Sequence, residues 1–429
     1  MRYTLALIAV LALLAAGCGG GGSKKSSSGG GGGNSNVKGS VTMIAVWTGA
    51  EQAAFQAVLN GFKSKYPSVK VTYQAQKDPA SFLSTAVEGG KPPDLAALPA
   101  PGIIKGFVGR GLKPLDFAKS TISANYAPGW LNAGTFDGKL YGLFFKGANK
   151  STVWYNVKAF KDAGVTPPKT WDDLLKDAKT LKASGVDAYS IGGSDGWTLT
   201  DLFENIYLRQ AGPDMYDKLT QHQIKWTDAS VKQALTTMAQ VIGDANNIPG
   251  GTSQALQTDF PTSVTQVFTS PPKAGMVFEG DFVAGVITSS TKAKAKTDFD
   301  VFDFPQIGSS SSDAVLGGGD GVVMFKDNPA TEALIKYLAS SDAQEIWAKR
   351  GGYTAPNKNV DPSVYPDAIT RAAAQGIAKS GFRFDMSDQM PAAFGSDAEF
   401  SDLQNFLKNP KDVNGAAAQL EADAAKAFK

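Results

Sequence analysis

Val41-Thr42-Met43-Ile44-Ala45-Val46-Trp47 reads as a buried strand. Thr48-Gly49-Ala50-Glu51 then turns into a helix on which Phe55, Val58, Leu59 and Phe62 recur at helical spacing. Lys65-Tyr66-Pro67 closes that helix, and Val69 to Tyr73 alternates as a second strand. Phe82 to Val87 is helical, Gly89 to Asp94 breaks it, and Leu95-Ala96-Ala97-Leu98 is a third short strand. A strand–helix–strand rhythm of this kind predicts an α/β lobe with a mainly parallel sheet.

Further along, helix starts are signalled by their caps. Thr170 precedes Trp171-Asp172-Asp173, with Leu174, Leu175, Ala178 and Leu181 as the buried stripe. Asn328-Pro329 opens a helix carrying Leu334, Ile335 and Leu338, and Ser341-Asp342 caps the next, with Ile346 and Trp347. Val413 to Phe428 is Ala-rich and helical.

Upstream, Leu5 to Ala16 is an apolar run of signal-peptide length, too short to span a bilayer comfortably. It ends at Gly17 and Cys18, the single cysteine of the chain. Leu14-Ala15-Ala16-Gly17-Cys18 looks like a bacterial lipobox, with two departures: Ala15 stands where a large aliphatic residue is usual, and Arg2 alone is the basic head. Residues 1–17 are expected to be a lipoprotein signal peptide. Residues 18–36 are expected to be a Gly/Ser-rich tether from a lipidated Cys18. As a Gly-rich coil that tether would reach about 20–25 Å.

With 42 basic and 40 acidic residues the net charge is +2, which gives no electrostatic case for nucleic acid. The body has no cysteine for disulfide or thiol chemistry. His222, the single histidine, sits in a polar stretch without an obvious partner and reads as a surface residue. Most hydrolase and zinc chemistries are thereby removed, leaving carboxylate-only mechanisms. No cofactor and no metal are expected.

A series of stretches in one order carries a family resemblance. VWTGAEQAAFQAVLNGFKSKYPSVKVTY (46–73) with EGGKPPDLAALPAPGIIKGFVGRGLKPLD (88–116) is the first; GKLYGLFFKGANKSTVWYNVKAFKDAGVTPPKTWDDLLKDAKTL (138–181) follows. GWTLTDLFENIYLRQAGPDMYDKL, MVFEGDFVAGVI, GGGDGVVMF, KRGGYTAPNKNV and FRFDMSDQMPAAFGS extend it over nearly all of the mature chain. Together they resemble the extracellular solute-binding proteins of carbohydrate ABC transporters, and among these the α-glucoside-binding relatives of maltose-binding protein. The resemblance implies a two-lobed periplasmic-binding-protein-like α/β fold with a hinge and an interlobe ligand cleft. It implies lobe one at 37–146 plus 299–339, and lobe two at 147–298 plus 340–429. It also implies a non-enzymatic, monomeric receptor outside the cytoplasmic membrane, delivering an oligosaccharide to permease subunits.

A sugar packs its C–H faces on aromatic rings and its hydroxyls against ionic groups. The expected ligand contacts are therefore Trp47 and Glu51 at the end of the first strand, Lys146 at the lobe crossing, and Trp197 in a Gly-rich loop. Asp201 or Glu204 follows on the next helix. Glu279, Asp281 and Phe282 match a Gly-x-aromatic element in which relatives often carry Trp. Asp320 is expected in a loop after three glycines. Arg383, Asp385 and Asp388 bracket a late loop, where they either bind sugar or pair at the hinge. Lys150 flanks the same crossing as Lys146. Trp154, Trp171, Trp226 and Trp347 read as structural. The rival reading is a secreted glycoside hydrolase using two carboxylates, such as Glu279 with Asp320.

Overall fold

A computed structural model describes residues 36–76, 78–309, 311–379 and 382–429. The expected signal segment, Cys18 and nearly all of the tether lie outside the described residues. Among those described, the strands in chain order are β1 (Gly39–Ala45), β2 (Val69–Ala75), β3 (Leu95–Leu98), β4 (Thr135–Phe136), β5 (Lys139–Leu140) and β6 (Gly142–Asn149). They continue with β7 (Thr152–Asn156), β8 (Asp187–Ser190), β9 (Ala274–Phe278), β10 (Phe299–Asp303), β11 (Val315–Met324) and β12 (Phe382–Phe384).

Two sheets organise these strands. The first has the order β12-β11-β3-β1-β2, with β6 on the free side of β11. Pairs β1/β2, β1/β3 and β11/β12 are parallel, whereas β11 runs antiparallel to β3 and to β6. The parallel part is the βαβ region legible in the sequence. The antiparallel part comes from a strand more than 200 residues later in the chain. The second sheet has the order β10-β7-β9-β8, and β4 with β5 forms a small separate ladder.

Local chemistry explains the helices that flank them. The first helix, Gly49–Lys65, buries Phe55, Val58, Leu59 and Phe62. Each such burial contributes about 1.5–3 kcal/mol relative to exposure. Thr170 accepts a hydrogen bond from the Asp173 amide and starts the helix Trp171–Ala183. Asn328 and Thr331 form a reciprocal capping box at Pro329–Leu338. The cap of Ser341–Ala348 is Ser340, one residue before the expected Ser341.

Each sheet has its own core. One cluster joins Trp47, Phe55, Phe145, Trp347 and Tyr353; the other includes Phe203, Tyr207, Trp226 and Leu403. Trp154 packs beside the second sheet with Phe299, at 6.0 Å between rings. This arrangement moves the expected lobe boundaries. β10 pairs with β7, so Phe299–Asp303 belongs to the second sheet. Trp347 packs against Trp47 at 5.0 Å and Tyr353 joins the same cluster, so 341–353 belongs with the first core. Among the described residues the chain crosses between the two three times: at residues 150–151 between β6 and β7, at 304–314 between β10 and β11, and at 385 after β12.

Candidate functional site

A cleft of about 1310 Å³ lies where the two cores face each other. That exceeds the roughly 300–1,000 Å³ usual for small-molecule sites. Residues 46–51, Lys146, Asp320 and Trp347 line it from the first sheet's side. Asp195, Trp197, Phe260 and Phe282 line it from the second. Lys150, Asp385 and Asp388 come from the crossings themselves or lie next to them.

On the second wall, Gly196 caps the helix Trp197–Thr220 at φ 77, a backbone region that favours glycine. A side chain there would also stand 2.6 Å from Phe400 Cβ. The turn leaves Trp197 half-buried at the helix start. Its ring centroid lies 5.2 Å from Phe260 and 5.7 Å from Phe282, and those two are 5.3 Å apart. The three rings make an aromatic corner. Lys150 Nζ sits 5.9 Å from the Trp197 ring, and Lys146 Nζ, from the opposite wall, 5.7 Å from Phe282.

The first wall is ionic. Trp47 Nε1 donates to Asp320 Oδ2 at 2.6 Å. Lys146 Nζ lies 2.8 Å from Glu51 Oε1 and 3.8 Å from Asp320 Oδ2. Burial works against the Lys146 ammonium, but Glu51 and Asp320 outweigh it and hold its pKa above the ordinary value. Burial raises Asp320 in spite of Lys146 and the Trp47 donor. Behind this wall Lys150 Nζ is 2.9 Å from Asp201 Oδ1 and also pairs closely with Asp385.

The structure separates the expected contacts. Glu51, Lys146, Trp197, Phe282 and Asp320 come together around the cleft. Trp47 borders it but is fully buried, and its ring serves the core while its N–H orients Asp320. Asp320 lies on strand β11, not in a loop. Its glycines are there for space: a Cβ at Gly319 would stand 2.3 Å from the Lys146 carbonyl oxygen.

Asp201 sits buried behind Lys150, away from the cleft lining. Glu204 accepts hydrogen bonds from the amides of Met386 and Ser387 and from the Tyr216 hydroxyl, a structural duty. Glu279 and Asp281 are buried outside the lining. Asp281 accepts from the Asn149 amide and the Thr354 hydroxyl. Burial, with Asp201 adding to it, lifts Glu279 well above the usual carboxylate range. Arg383 points elsewhere and holds Asp217 through Nε at 2.8 and 3.0 Å. Trp154, Trp171, Trp226 and Trp347 are all buried. His222 is half-buried, 3.3 Å from Glu421, and is not part of this lining.

Three contributors were missed. Phe260 opens a helix capped by Asp259 and was not singled out in the sequence. Asp195 lies in the same Gly-rich loop as Trp197, which was the available signal; it accepts from the Phe260 amide at 2.7 Å. Arg350, an exposed residue after the Trp347 helix, lies within the KRGGYTAPNKNV stretch but was not singled out as a contact. Among the described residues no three His, Cys, Asp or Glu side chains are grouped to hold a metal ion. No described helix is long and apolar enough to cross a membrane.

The family is decided by comparison with known proteins. The family model for bacterial extracellular solute-binding proteins matches residues 47–345. The chain belongs to the bacterial extracellular solute-binding proteins. Among relatives, an osmoprotective-compounds-binding protein of Synechocystis is 32% identical over 86% of this chain and 88% of its own. An alpha-glucosides-binding periplasmic protein of Rhizobium meliloti is 30% identical over 90% of this chain and 88% of its own. The bacterial solute receptor AcbH, described as preferring β-D-galactopyranose, superposes with a TM-score of 0.81 at 21% identity, over 92% of this chain and all of that one. This solute-binding protein therefore has the two-lobed fold expected from its sequence. Its family places it outside the cytoplasm. The hydrolase reading loses its carboxylate pair, because Glu279 is buried away from the cleft that Asp320 lines.

The buried acids set a pH dependence for the solute-binding fold. Burial lifts Asp201 to about 7 despite Lys150, and Asp281 and Asp402 to about 6. Asp385 goes the other way, to about 2, because Lys150 and hydrogen bonds outweigh its burial. Unfolded Asp titrates near ~3.9. Between pH 4 and 7 the folded chain thus binds protons that the unfolded chain has released, so stability falls as pH rises through that window. Below about pH 4 the contribution of Asp385 is lost as its folded pKa is approached, and the trend reverses. Urea melts should show higher stability at pH 5.5 than at pH 7.5. Equal midpoints at 7.5 and 5.5 would contradict the assignment.

Proposed function

We propose that this solute-binding protein is the receptor of a carbohydrate ABC transporter. It takes a neutral oligosaccharide, an α-glucoside such as maltose, trehalose or sucrose, between its lobes and delivers it to permease subunits. The observation that carries this is the pairing of walls: the aromatic corner of Trp197, Phe260 and Phe282 faces the ionic row of Glu51, Lys146 and Asp320. A sugar's two kinds of surface match those walls. Both lysines are already matched by carboxylates, which favours a ligand without charge. The names of the Rhizobium and Synechocystis relatives are compatible with such a glycoside. Ligand stabilises the closed form, because in that form both walls reach it. The signal-like 1–17 and Cys18 support a lipid anchor on the outer face of the cell membrane, periplasmic where an outer membrane exists, with the chain acting as a monomer.

Titration calorimetry against maltose, trehalose, sucrose, maltotriose and an amino-acid control tests this, with product analysis of the same samples. Saturable binding with intact sugar recovered is expected. Steady release of glucose would replace the receptor with an enzyme. Absence of heat with every sugar would remove the α-glucoside assignment.

A further inference from the structure

The helix Trp197–Thr220 touches every one of the three crossings. It kinks at Gly212, and the part before the kink presents Asp201, Glu204, Asn205 and Arg209 at helical spacing on one face. At the first crossing, Asn205 Nδ2 donates to the Lys150 carbonyl at 2.9 Å and Asn205 Oδ1 accepts from Ser151 Oγ at 2.6 Å. At the second, Arg209 Nη1 donates to the carbonyls of Ser312 and Ala314 at 2.7 and 2.5 Å, and the Ser312 amide returns a bond to the Arg209 carbonyl. After the third, Glu204 accepts from the amides of Met386 and Ser387 at 2.5 and 2.9 Å. The same helix begins at Trp197, the half-buried ring of the cleft.

On the first-lobe side of the crossings the backbone is different in kind. Gly317, Gly318 and Gly319 of β11 pair with Asn149, Ala148 and Gly147 of β6, and a bulge follows between Asp320 and Gly321. Leu316 belongs to the second core and Val322 to the first. The glycine ladder is the stretch between them, with the fewest side chains to resist bending.

We propose that Glu204, Asn205 and Arg209 are positioning residues for ligand capture: they fix all three crossings to the second lobe, and the first lobe swings about the ladder of Gly147 and Gly317–Gly319. This rests on the reading that the lobes close around a ligand. Lys150 then travels with Trp197 even though it directly follows β6 of the first sheet. Lys146 and Asp320 travel with the first lobe. On opening, the contact of Lys146 with Phe282 parts while that of Lys150 with Trp197 persists.

Amide hydrogen exchange of the full chain, with no sugar added, tests the pivot independently of what the cleft binds. Amides at 147–149 and 317–320 should exchange at least about tenfold faster than those of Ser312, Met386 and Ser387. Crossing amides as fast as the ladder would place the pivot at the helix and overturn the proposal. Arg209→Met should raise exchange at 312–314 about tenfold and leave 386–387 alone, and Arg209→Lys should restore part of it. No change at 312–314 in Arg209→Met would remove its positioning role. Gly318→Ala gives a second arm, since the atoms nearest its Cβ belong to the flexible Lys150 side chain, whereas Gly317 would meet the Phe382 ring and Gly319 the Lys146 carbonyl oxygen. It should slow the ladder and spare the crossings; equal slowing of both would overturn the pivot.

Discussion

Trp197→Ala should weaken binding of the cognate sugar by about 30- to 150-fold while leaving the protein folded. An aromatic side chain buries about 150–250 Å² when fully covered. Trp197 is half-buried in the empty cleft, so part of its surface is left for a ligand to cover. Covering it, with the contact terms that stacking adds, is worth about 2–3 kcal/mol, or the stated change in Kd. The ring is not a keystone of either core: its contacts are Phe260, Phe282 and the ammonium of Lys150, all at the cleft. Trp197→Phe should recover much of the affinity. Calorimetric titration and thermal melts of the two variants separate the effects. Wild-type affinity in Trp197→Ala would end the assignment of this wall as the sugar platform. A large fall in melting temperature would instead make Trp197 a core residue.

How much of this was legible depended on the range of the interactions. The Thr170 cap and the stripe of Leu174, Ala178 and Leu181 sit within one helix, and the sequence shows them directly. The first βαβ region is equally local. Trp197 was legible because a Gly-rich loop rarely places an indole in a core. Asp320 was legible as a cleft-side acid but not as a strand residue. Three glycines in a row look like a loop, and they are instead the only side-chain-free way to pass the Lys146 carbonyl and the Phe382 ring. Glu279, Asp281 and Arg383 resemble site residues in their local setting. What takes Asp281 and Arg383 out of the site is a partner more than 70 residues distant: Thr354 for Asp281 and Asp217 for Arg383. The lobe boundary failed for the same reason. Nothing within Phe299–Asp303 tells which of two sheets will pair with it, and that was settled by β7.

The hinge carries the second large effect. Lys150→Met should destabilise the folded chain by about 3–5 kcal/mol at pH 7, the range seen when one partner of a buried ion pair is removed. The side chain of Lys150 is 12% exposed and those of Asp201 and Asp385 are 2% and 1%. Asp388 also acts on the ammonium, so one cation answers three acids at the point where the lobes meet. Burial opposes the Lys150 charge, but these acids hold its pKa well above the ordinary value, so its stabilisation is fully present below about pH 10.4. Without it, Asp385 loses the main influence that keeps it ionised. The loss should shrink at pH 5, where Asp201 already carries its proton in the folded state. Lys150→Arg keeps the charge and should cost much less. Asp201→Asn added to Lys150→Met should return part of the stability, since the two sites are in direct contact and will not behave additively. Urea denaturation of the four proteins decides the matter. If Lys150→Met kept the wild-type midpoint and changed only sugar affinity, Lys150 would be a ligand contact, and the acids behind it would have to be held in their protonated form by the fold alone.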